Sequence, residues 1–186
     1  MPKKNYQRKI VYLMKLDKIE DYSWSISPEL FEKIREIVPE KSTILELGSG
    51  TGTIELCKYY SMISIEHDFR FQNLAPAYYI MAPITPFRKA CAVFPEDKGW
   101  YDRDILKAQL PGLKYDAILV DGPPNLYGRG GFAKWLDLFN TNVPIFVDDV
   151  ERTRDRRMIG RVSAKLKRPY TVYGAHTPKH WAVIMP

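Results

Sequence analysis

The sequence predicts an α/β protein with a parallel sheet of about seven strands, helices on both faces and an antiparallel hairpin at the C-terminus. Short apolar segments alternate with segments of helical periodicity, which is the pattern of a parallel sheet covered on both faces. Two final apolar segments joined by GAHTPKH predict the hairpin. The 186 residues, of which 45% are hydrophobic, are enough for a single domain over residues 1–186.

The first predicted helix begins at Ser27 and Pro28, because serine caps free amide groups and proline fits the first helical turn. This helix is expected to end near Pro39, and residues 1–26 are interpreted as an N-terminal extension or lid. The elements that follow are a strand over 43–47, a helix over 53–60, a strand over 62–65, a helix over 71–81, a strand over 88–93 and a short helix over 105–110.

The second half of the chain gives a clearer pattern. Apolar strands over 115–120 and 143–147 are each followed directly by aspartate residues. Several acidic strand ends at one edge of a sheet indicate a site, since ligands of such sheets bind beyond the carboxyl ends of the strands. The other predicted elements are a loop over 125–131, a helix over 132–139, a basic helix within 151–168 and the hairpin strands over 170–173 and 181–185.

The net charge of +6 is concentrated in residues 151–168, which hold eight basic and two acidic residues. Met158, Ile159 and Val162 have helical spacing, so the favoured interpretation is a helix with a solvated basic face. The alternative is a patch for phosphates or an anionic polymer.

Two distant cysteines exclude a disulfide framework and a zinc site, and they fit a reducing compartment. The apolar run at 10–14 is too short for a signal-peptide core or a membrane span, so we expect a cytoplasmic protein with no membrane partner.

The stretch LELGSGTG at 45–52 joins a predicted strand to a predicted helix. Its glycines follow the pattern Gly48-x-Gly50-x-Gly52, which departs from the dinucleotide fingerprint G-x-G-x-x-G. Glu46 adds negative charge beside the loop, which favours a ligand with a cationic head over a diphosphate. Glu66 follows the next strand and can accept hydrogen bonds from ribose hydroxyls.

ELGSGTG, the acidic residue after the next strand, the order of elements and the final hairpin together resemble class I S-adenosylmethionine-dependent methyltransferases over roughly residues 22–186. The resemblance implies a Rossmann-like fold and S-adenosylmethionine as cofactor. It also implies that Glu66 holds the ribose and that His67 and Asp68 lie near the adenosine. The other cofactor-binding residues that it implies are Glu46, Gly48, Ser49, Gly50, Gly52 and Asp121.

A narrower resemblance lies in DYSWSISPEL, SIEHD, ILVDGPP and FVDDVERTRDRR, which are similar to a group of small methyltransferases. That group is related in pattern to plant glucuronoxylan O-methyltransferases and to other glycan or small-molecule enzymes. Membership in that group does not fix a substrate, and the acceptor that we expect is a hydroxyl of a sugar or another small molecule.

Asp121, Asp148 and Asp149 follow two strands that we expect to be neighbours, so their carboxylates are expected to meet. Oxygen ligands of this kind suit Mg²⁺ or Mn²⁺, and the arrangement resembles that of catechol O-methyltransferases. We therefore predict Asp121 and Asp148 as catalytic residues and all three as ligands of a divalent metal. The alternative is structural: Asp149 caps the following helix, and Asp121 belongs to an Asp-Gly turn.

The loop over 122–131 contains prolines and several glycines, which predicts a lid beside the substrate. Arg129 in this loop either meets an anionic group of the substrate or is solvated. Two rival functions stay open: a nucleic-acid methyltransferase that uses the basic helix, and a non-catalytic protein that binds the cofactor or a partner. DGPPN lacks the aromatic residue of the D-P-P-Y motif, which disfavours methylation of adenine amino groups.

Overall fold

The computed structural model describes residues 26–87 and 93–186. Its helices are α1 (Pro28–Ile37), α2 (Thr51–Leu56), α3 (Arg103–Gln109), α4 (Gly130–Lys134) and α5 (Thr153–Leu166), with a short 3₁₀ turn at Leu136–Leu138. Its strands are β1 (Thr43–Leu47), β2 (Ser61–Glu66), β3 (Tyr78–Met81), β4 (Ile84–Pro86), β5 (Gly99–Tyr101), β6 (Ala117–Val120), β7 (Ile145–Val147), β8 (Tyr170–Tyr173) and β9 (Trp181–Ile184).

Seven of the described strands form one sheet in the order β3-β2-β1-β6-β7-β9-β8. The first five run parallel, and β9 lies antiparallel to both β7 and β8. The chain moves outward from β1 to β3 and then returns to the other side of β1 at β6. The loops after β1 and β6 therefore flank the point where the strand order reverses, which is where open α/β sheets bind their ligands.

Helices cover both faces of the sheet because side chains alternate along each strand. Ile44 points to the face where Leu30 and Ile34 of α1 pack with Leu56 of α2. Leu45 points to the opposite face. On that face the sheet meets buried residues of three other helices, namely Leu106 of α3, Phe132 and Ala133 of α4, and Met158, Ile159 and Val162 of α5. The predicted fold class is confirmed.

Several predicted elements are confirmed in detail. The Ser27 side chain caps α1 by accepting a hydrogen bond from the Leu30 amide at 3.2 Å, and Pro28 occupies the first turn. The strand predicted over 43–47 has the observed bounds of β1, and the C-terminal hairpin forms from β8 and β9.

The helix predicted over 71–81 is wrong. Residues 78–81 form β3, which pairs in parallel with β2, and turns precede it. Tyr78, Tyr79 and Ile80 are residue types that fit a pleated surface, and Pro76 removes the backbone donor that a helix through it needs. The helix predicted over 132–139 is divided into α4 and the 3₁₀ turn, and the pairing of β4 with β5 was not predicted.

Two predictions fall wholly or largely outside the described residues. The strand predicted over 88–93 includes residues 88–92, and the extension or lid predicted over 1–26 includes residues 1–25. A single domain over 1–186 stays a prediction. Among the described residues, no helix has the length and apolar composition to cross a membrane.

Gly48 and Gly122 pack backbone to backbone where the loop after β1 meets the loop after β6. Gly48 has a φ of +89°, and a Cβ atom at this position would lie 2.8 Å from both Cα and N of Gly122. The Gly48 amide donates to the Ile65 carbonyl at 2.9 Å, which also fixes the loop to β2. Gly48 therefore meets two demands that a side chain cannot meet: a left-handed backbone and close contact with another chain segment.

Replacing Gly48 with Ala should destabilise the fold by more than backbone strain alone. Gly112→Ala is the matched control, because Gly112 has a φ of +83° but open space where its Cβ would stand. We expect a loss of about 1–2 kcal/mol for the control from the left-handed backbone, and a further loss of about 1–3 kcal/mol for Gly48→Ala from overpacking. Urea unfolding measures both, and equal losses would contradict the contact described here.

Candidate functional site

The candidate site lies at the carboxyl ends of β1, β2, β6 and β7. It has two parts. The glycine loop and Glu66 form one part beside β1 and β2, and the three aspartates form the other beside β6 and β7. The contact between Gly48 and Gly122 joins the two parts. This arrangement follows from the sheet order, which places β1 next to both β2 and β6.

Glu66 holds the glycine loop against the end of β2. Its buried carboxylate accepts the backbone amides of Ser49 at 2.8 Å, His67 at 2.6 Å and Asp68 at 2.7 Å. The Nδ1 atom of His67 lies 2.7 Å from Oε1 of the same carboxylate. These amide donors hold the carboxylate in a fixed orientation. The structure therefore brings Ser49, Glu66, His67 and Asp68 together at the end of β2.

The His67 ring lies in an aromatic corner next to Glu66. It makes edge contacts with the rings of Tyr101 and Tyr127, at centroid distances of 6.3 Å and 5.5 Å. The Tyr101 hydroxyl is buried, without a hydrogen-bond partner among the described residues, and a Cβ added to Gly122 would lie 2.5 Å from it. Because buried polar groups normally have a hydrogen-bond partner, the Tyr101 hydroxyl is a candidate for contact with a bound ligand.

Glu46 lies below the glycine loop, where it connects β1, β2 and α2. Its Oε2 atom accepts hydrogen bonds from the Thr53 hydroxyl at 2.8 Å and the Ser64 hydroxyl at 2.7 Å. The Thr53 hydroxyl in turn accepts the Gly50 amide at 2.9 Å. Burial raises the pKa of Glu46 to about 8, although the hydrogen bonds from Ser64 and Thr53 lower it. Burial therefore opposes the negative charge that the sequence predicts beside the loop.

Gly52 makes a packing contact in α2. A Cβ at Gly52 would lie 3.3 Å from the backbone nitrogen of Ile26. Ser49, which precedes the helix, has its hydroxyl 3.2 Å from the Tyr79 hydroxyl. The loop is thus held from three sides, by β2, by β3 and by the chain that enters α1.

Asp121, Asp148 and Asp149 do come together, with one ligand oxygen of each lying within 4.8 Å of the others. The guanidinium of Arg129, however, lies among them. Its Nη2 atom donates to Asp149 Oδ2 at 2.8 Å and to Asp121 Oδ1 at 3.2 Å, and also to the Asp121 carbonyl. Its Nη1 atom donates to the Asp148 carbonyl at 2.8 Å. The predicted meeting of the three aspartates is observed, and Arg129 places one positive charge of the same chain beside them.

The electrostatics of this cluster follow from its burial. Burial alone lowers the pKa of the Arg129 guanidinium, but attraction to Asp155 and to the three aspartates outweighs it and raises that pKa. Burial, with Asp121 and Asp149 nearby, raises the pKa of Asp148 to about 7. Neither carboxylate oxygen of Asp148 has a hydrogen-bond partner in the described ranges, although Lys179 Nζ lies 3.6 Å from Oδ2.

Asp149 does not act as the helix cap considered in the sequence analysis. The helix α5 begins at Thr153, its N-cap is Arg152, and no side chain caps it. The Asp149 carboxylate pairs instead with Arg129 and with Arg152, whose Nη1 lies 2.7 Å from Oδ2.

Arg129 is 2% exposed, which differs from both interpretations offered for it from sequence. Neighbouring glycines explain its position. A Cβ at Gly128 or Gly130 would collide with the Asp97 carboxylate, and one at Gly131 would collide with the Trp100 ring. These glycines therefore allow the loop to pack closely against Asp97 and against Trp100 of β5. From the sequence we expected the same glycines to make the loop flexible enough to act as a lid. Several acidic residues that lie close together and are buried need a positive charge beside them. This requirement was the signal that could have identified Arg129 from the sequence.

The basic helix α5 has the apolar and basic faces that the sequence predicts. Met158, Ile159 and Val162 are buried, and Arg156, Arg157, Arg161 and Lys165 are exposed. Some basic side chains of α5, and Arg168 after it, also donate to backbone carbonyls of neighbouring segments: Arg154 to Glu96 at 3.1 Å, Arg161 to Val93 at 3.1 Å, Lys165 to Ala133 at 2.7 Å and Arg168 to Thr141 at 2.6 Å. The solvated face therefore also contributes hydrogen bonds to the packing of this helix.

Replacing Glu46 with Gln should flatten the pH dependence of stability. Because folding raises the pKa of Glu46 from 4.5 to about 8, the native state binds the proton more tightly. The contribution of this group is therefore undiminished below pH 4.5 and is lost as the pH rises to about 8. As the pH rises across this window, we expect the free energy of unfolding of the variant, relative to that of the natural protein, to increase by up to about 1.4 kcal/mol per pH unit.

Urea unfolding at several pH values between 5 and 8 measures this gain. The control is Glu55→Gln, at a carboxylate that is 53% exposed. Its stability curve should run parallel to that of the natural protein. A parallel curve for Glu46→Gln as well would show that the carboxyl group is ionised in the folded protein.

Comparison with known proteins gives matches by structure. No family model and no curated protein matches the sequence. The structure is similar to cofactor-bound Rv0187 from MTB, with 15% identity, a TM-score of 0.62 and coverage of 96% of this chain and 89% of that one. It is similar to a precorrin-6Y C5,15-methyltransferase from Geobacter metallireducens, with 11% identity, a TM-score of 0.53 and coverage of 85% and 87%.

A third similar structure is Aeropyrum pernix fibrillarin with natively bound S-adenosyl-L-methionine. It has 14% identity and a TM-score of 0.51, and the match covers 80% of this chain and 68% of that one. Identities this low establish architecture and leave the chemistry to the site itself. The chain therefore has the Rossmann-like methyltransferase fold.

Proposed function

We propose that this protein is an S-adenosylmethionine-dependent methyltransferase whose acceptor is a hydroxyl group of a sugar or another small molecule. The observation that carries the proposal is the Ser49–Glu66 contact, which places a preorganised carboxylate beside a glycine loop at the point of strand reversal. The fold shared with a fibrillarin that holds S-adenosyl-L-methionine supports the choice of cofactor.

The residues of this region fit such a cofactor. Each carboxylate oxygen can accept two hydrogen bonds. Oε2 of Glu66 accepts the Ser49 amide within the described part of the chain, which leaves it able to accept a ribose hydroxyl. His67, Asp68 and the buried Tyr101 hydroxyl border the place where the adenosine would lie. When bound, the cofactor supplies a methyl group on a positively charged sulfur.

The positive charge of the cofactor would also change the pKa of Glu46. A cationic group near the loop would lower the pKa of Glu46 below its value of about 8 in the free protein. In this proposal Glu46, Gly48, Ser49, Gly50 and Gly52 would line the methionine and ribose portion, and the positive charge of a bound sulfonium would favour the ionised carboxylate of Glu46.

The acceptor would lie on the Asp121 side of the site. Asp121 is the most exposed carboxylate of the cluster, with 27% of its side chain accessible, while Asp148 and Asp149 are buried behind it. Asp121 therefore takes the role of orienting the acceptor hydroxyl and receiving its proton, which is ordinary work for a carboxylate at a reacting oxygen. Asp148 supports this role from the adjacent strand and is the second catalytic residue of the proposal.

The rival functions have less support. A nucleic-acid methyltransferase would use the exposed cationic side chains of α5 to contact phosphates, but several basic residues in and after this helix also donate to carbonyls of the protein itself. A non-catalytic binding protein has no need of the partly exposed Asp121 at the acceptor side. A divalent metal at the three aspartates, which the sequence predicted, would compete with Arg129 for the carboxylates of Asp121 and Asp149.

Isothermal titration calorimetry with S-adenosylmethionine and S-adenosylhomocysteine tests the cofactor directly. We expect both to bind, and we expect Glu66→Gln to weaken both by about tenfold or more, because a hydrogen bond to a charged group is lost. The control is Glu55→Gln on the surface of α2, which should bind like the natural protein. The absence of heat with either nucleoside, for a natural protein shown to be folded, would end the proposal.

Asp121→Asn should separate an enzyme from a binding protein. The variant keeps the shape of the side chain and an oxygen that accepts hydrogen bonds, so it should retain binding of S-adenosylhomocysteine, but it cannot take a proton. We expect methyl transfer to fall by about 10²–10⁴-fold, the usual contribution of a general base. The measurement is release of S-adenosylhomocysteine with panels of sugars and catechols, with transfer RNA as the competing acceptor. Unchanged turnover in the variant would remove Asp121 from catalysis, and turnover with RNA alone would select the rival.

A further inference from the structure

The guanidinium of Arg129 lies at the aspartate cluster, in contact with the carboxylates of Asp121 and Asp149 and with the carbonyl of Asp148. It contacts Asp121 and Asp149 through their side chains, and it contacts Asp121 and Asp148 through their carbonyls. A divalent ion at this position would need several oxygen ligands at about 2.0–2.6 Å. One carboxylate oxygen of Asp121 and one of Asp149 instead accept N–H donors of Arg129 at 3.2 and 2.8 Å, which is the geometry of charge-assisted hydrogen bonds.

The position of Arg129 is fixed by its surroundings. Gly128 and Gly130 on either side pack against the buried Asp97 carboxylate, and Gly131 packs against Trp100. The Arg129 Nε atom also faces the Pro123 carbonyl at 3.5 Å, in the same loop. The three glycines of this loop are all buried, so the backbone on either side of Arg129 is packed in place. Because a buried cation without partners is very costly, the aspartates and Arg129 hold each other in place.

We propose that Arg129 takes the place of a divalent cation in this carboxylate cluster, and that the protein binds no divalent metal there. Arg129 supplies one positive charge at the centre, and Arg152 and Lys179 add two more at its edge, at 2.7 Å from Asp149 and 3.6 Å from Asp148. These charges compensate the acidic strand ends without an ion. The exclusion of metal does not rest on the proposed function. Its consequence, methyl transfer that needs no metal, does.

The test uses Mn²⁺ as the probe and electron paramagnetic resonance to measure the free ion, with no cofactor or acceptor present. Adding the natural protein should leave the signal of free Mn²⁺ unchanged. Arg129→Ser removes the guanidinium and exposes the carboxylates to one another, so this variant should bind Mn²⁺ at least about tenfold more tightly than the natural protein. The double variant Arg129→Ser with Asp149→Asn is the matched control and should lose that binding.

Each outcome decides the proposal. Binding of Mn²⁺ by the natural protein that Asp149→Asn abolishes would overturn it. A folded Arg129→Ser variant that binds no Mn²⁺ would also overturn it, because the carboxylates would then not be a site that Arg129 fills. Circular dichroism checks folding. If Arg129→Ser does not fold, Arg129→Lys replaces it: this variant keeps a cation and should leave the Mn²⁺ signal unchanged, and binding by it would contradict the proposal. None of these results depends on binding of S-adenosylmethionine.

Discussion

The buried contact of Arg129 with the aspartates after β6 and β7 is the constraint on which the acceptor side of the site depends. Acidic residues at two adjacent strand ends repel one another when water is removed, and a cation of the chain itself makes their burial tolerable. This contact also explains why the loop after β6 is rich in glycine. The loop must pass close to Asp97 and Trp100 in order to deliver the guanidinium to the cluster.

The other side of the site depends on the buried carboxylate of Glu66, which accepts hydrogen bonds from backbone amides rather than from a guanidinium. These amides belong to the glycine loop and to the end of β2. The two sides meet where Gly48 touches Gly122, so the shape of one loop limits that of the other. A cofactor held near Glu66 and an acceptor held near Asp121 would therefore lie on two rigid and directly connected loops, which favours the alignment that an in-line transfer requires.

The sequence predicted the layers of the fold well, because alternation of short apolar strands with helices is a strong pattern. It also located the three aspartates and Glu66, since a polar residue directly after a buried strand has to lie at the sheet edge. It failed at 71–81, where tyrosines that pair in β3 also fit a helical spacing, and a contact with β2 decides the outcome. It did not predict the burial of Arg129 or the raised pKa of Glu46. Both result from packing against residues distant in the chain, which local pattern does not reveal.

A crystal structure with S-adenosylhomocysteine bound is the most direct test of the central claim, that the carboxyl edge of β1 and β2 binds the methyl donor while Arg129 completes the adjacent aspartate cluster. The account predicts ribose oxygens within hydrogen-bond distance of Glu66 and a guanidinium that still contacts Asp121 and Asp149. A nucleoside bound elsewhere, or a metal ion among the aspartates with Arg129 turned away, would contradict it.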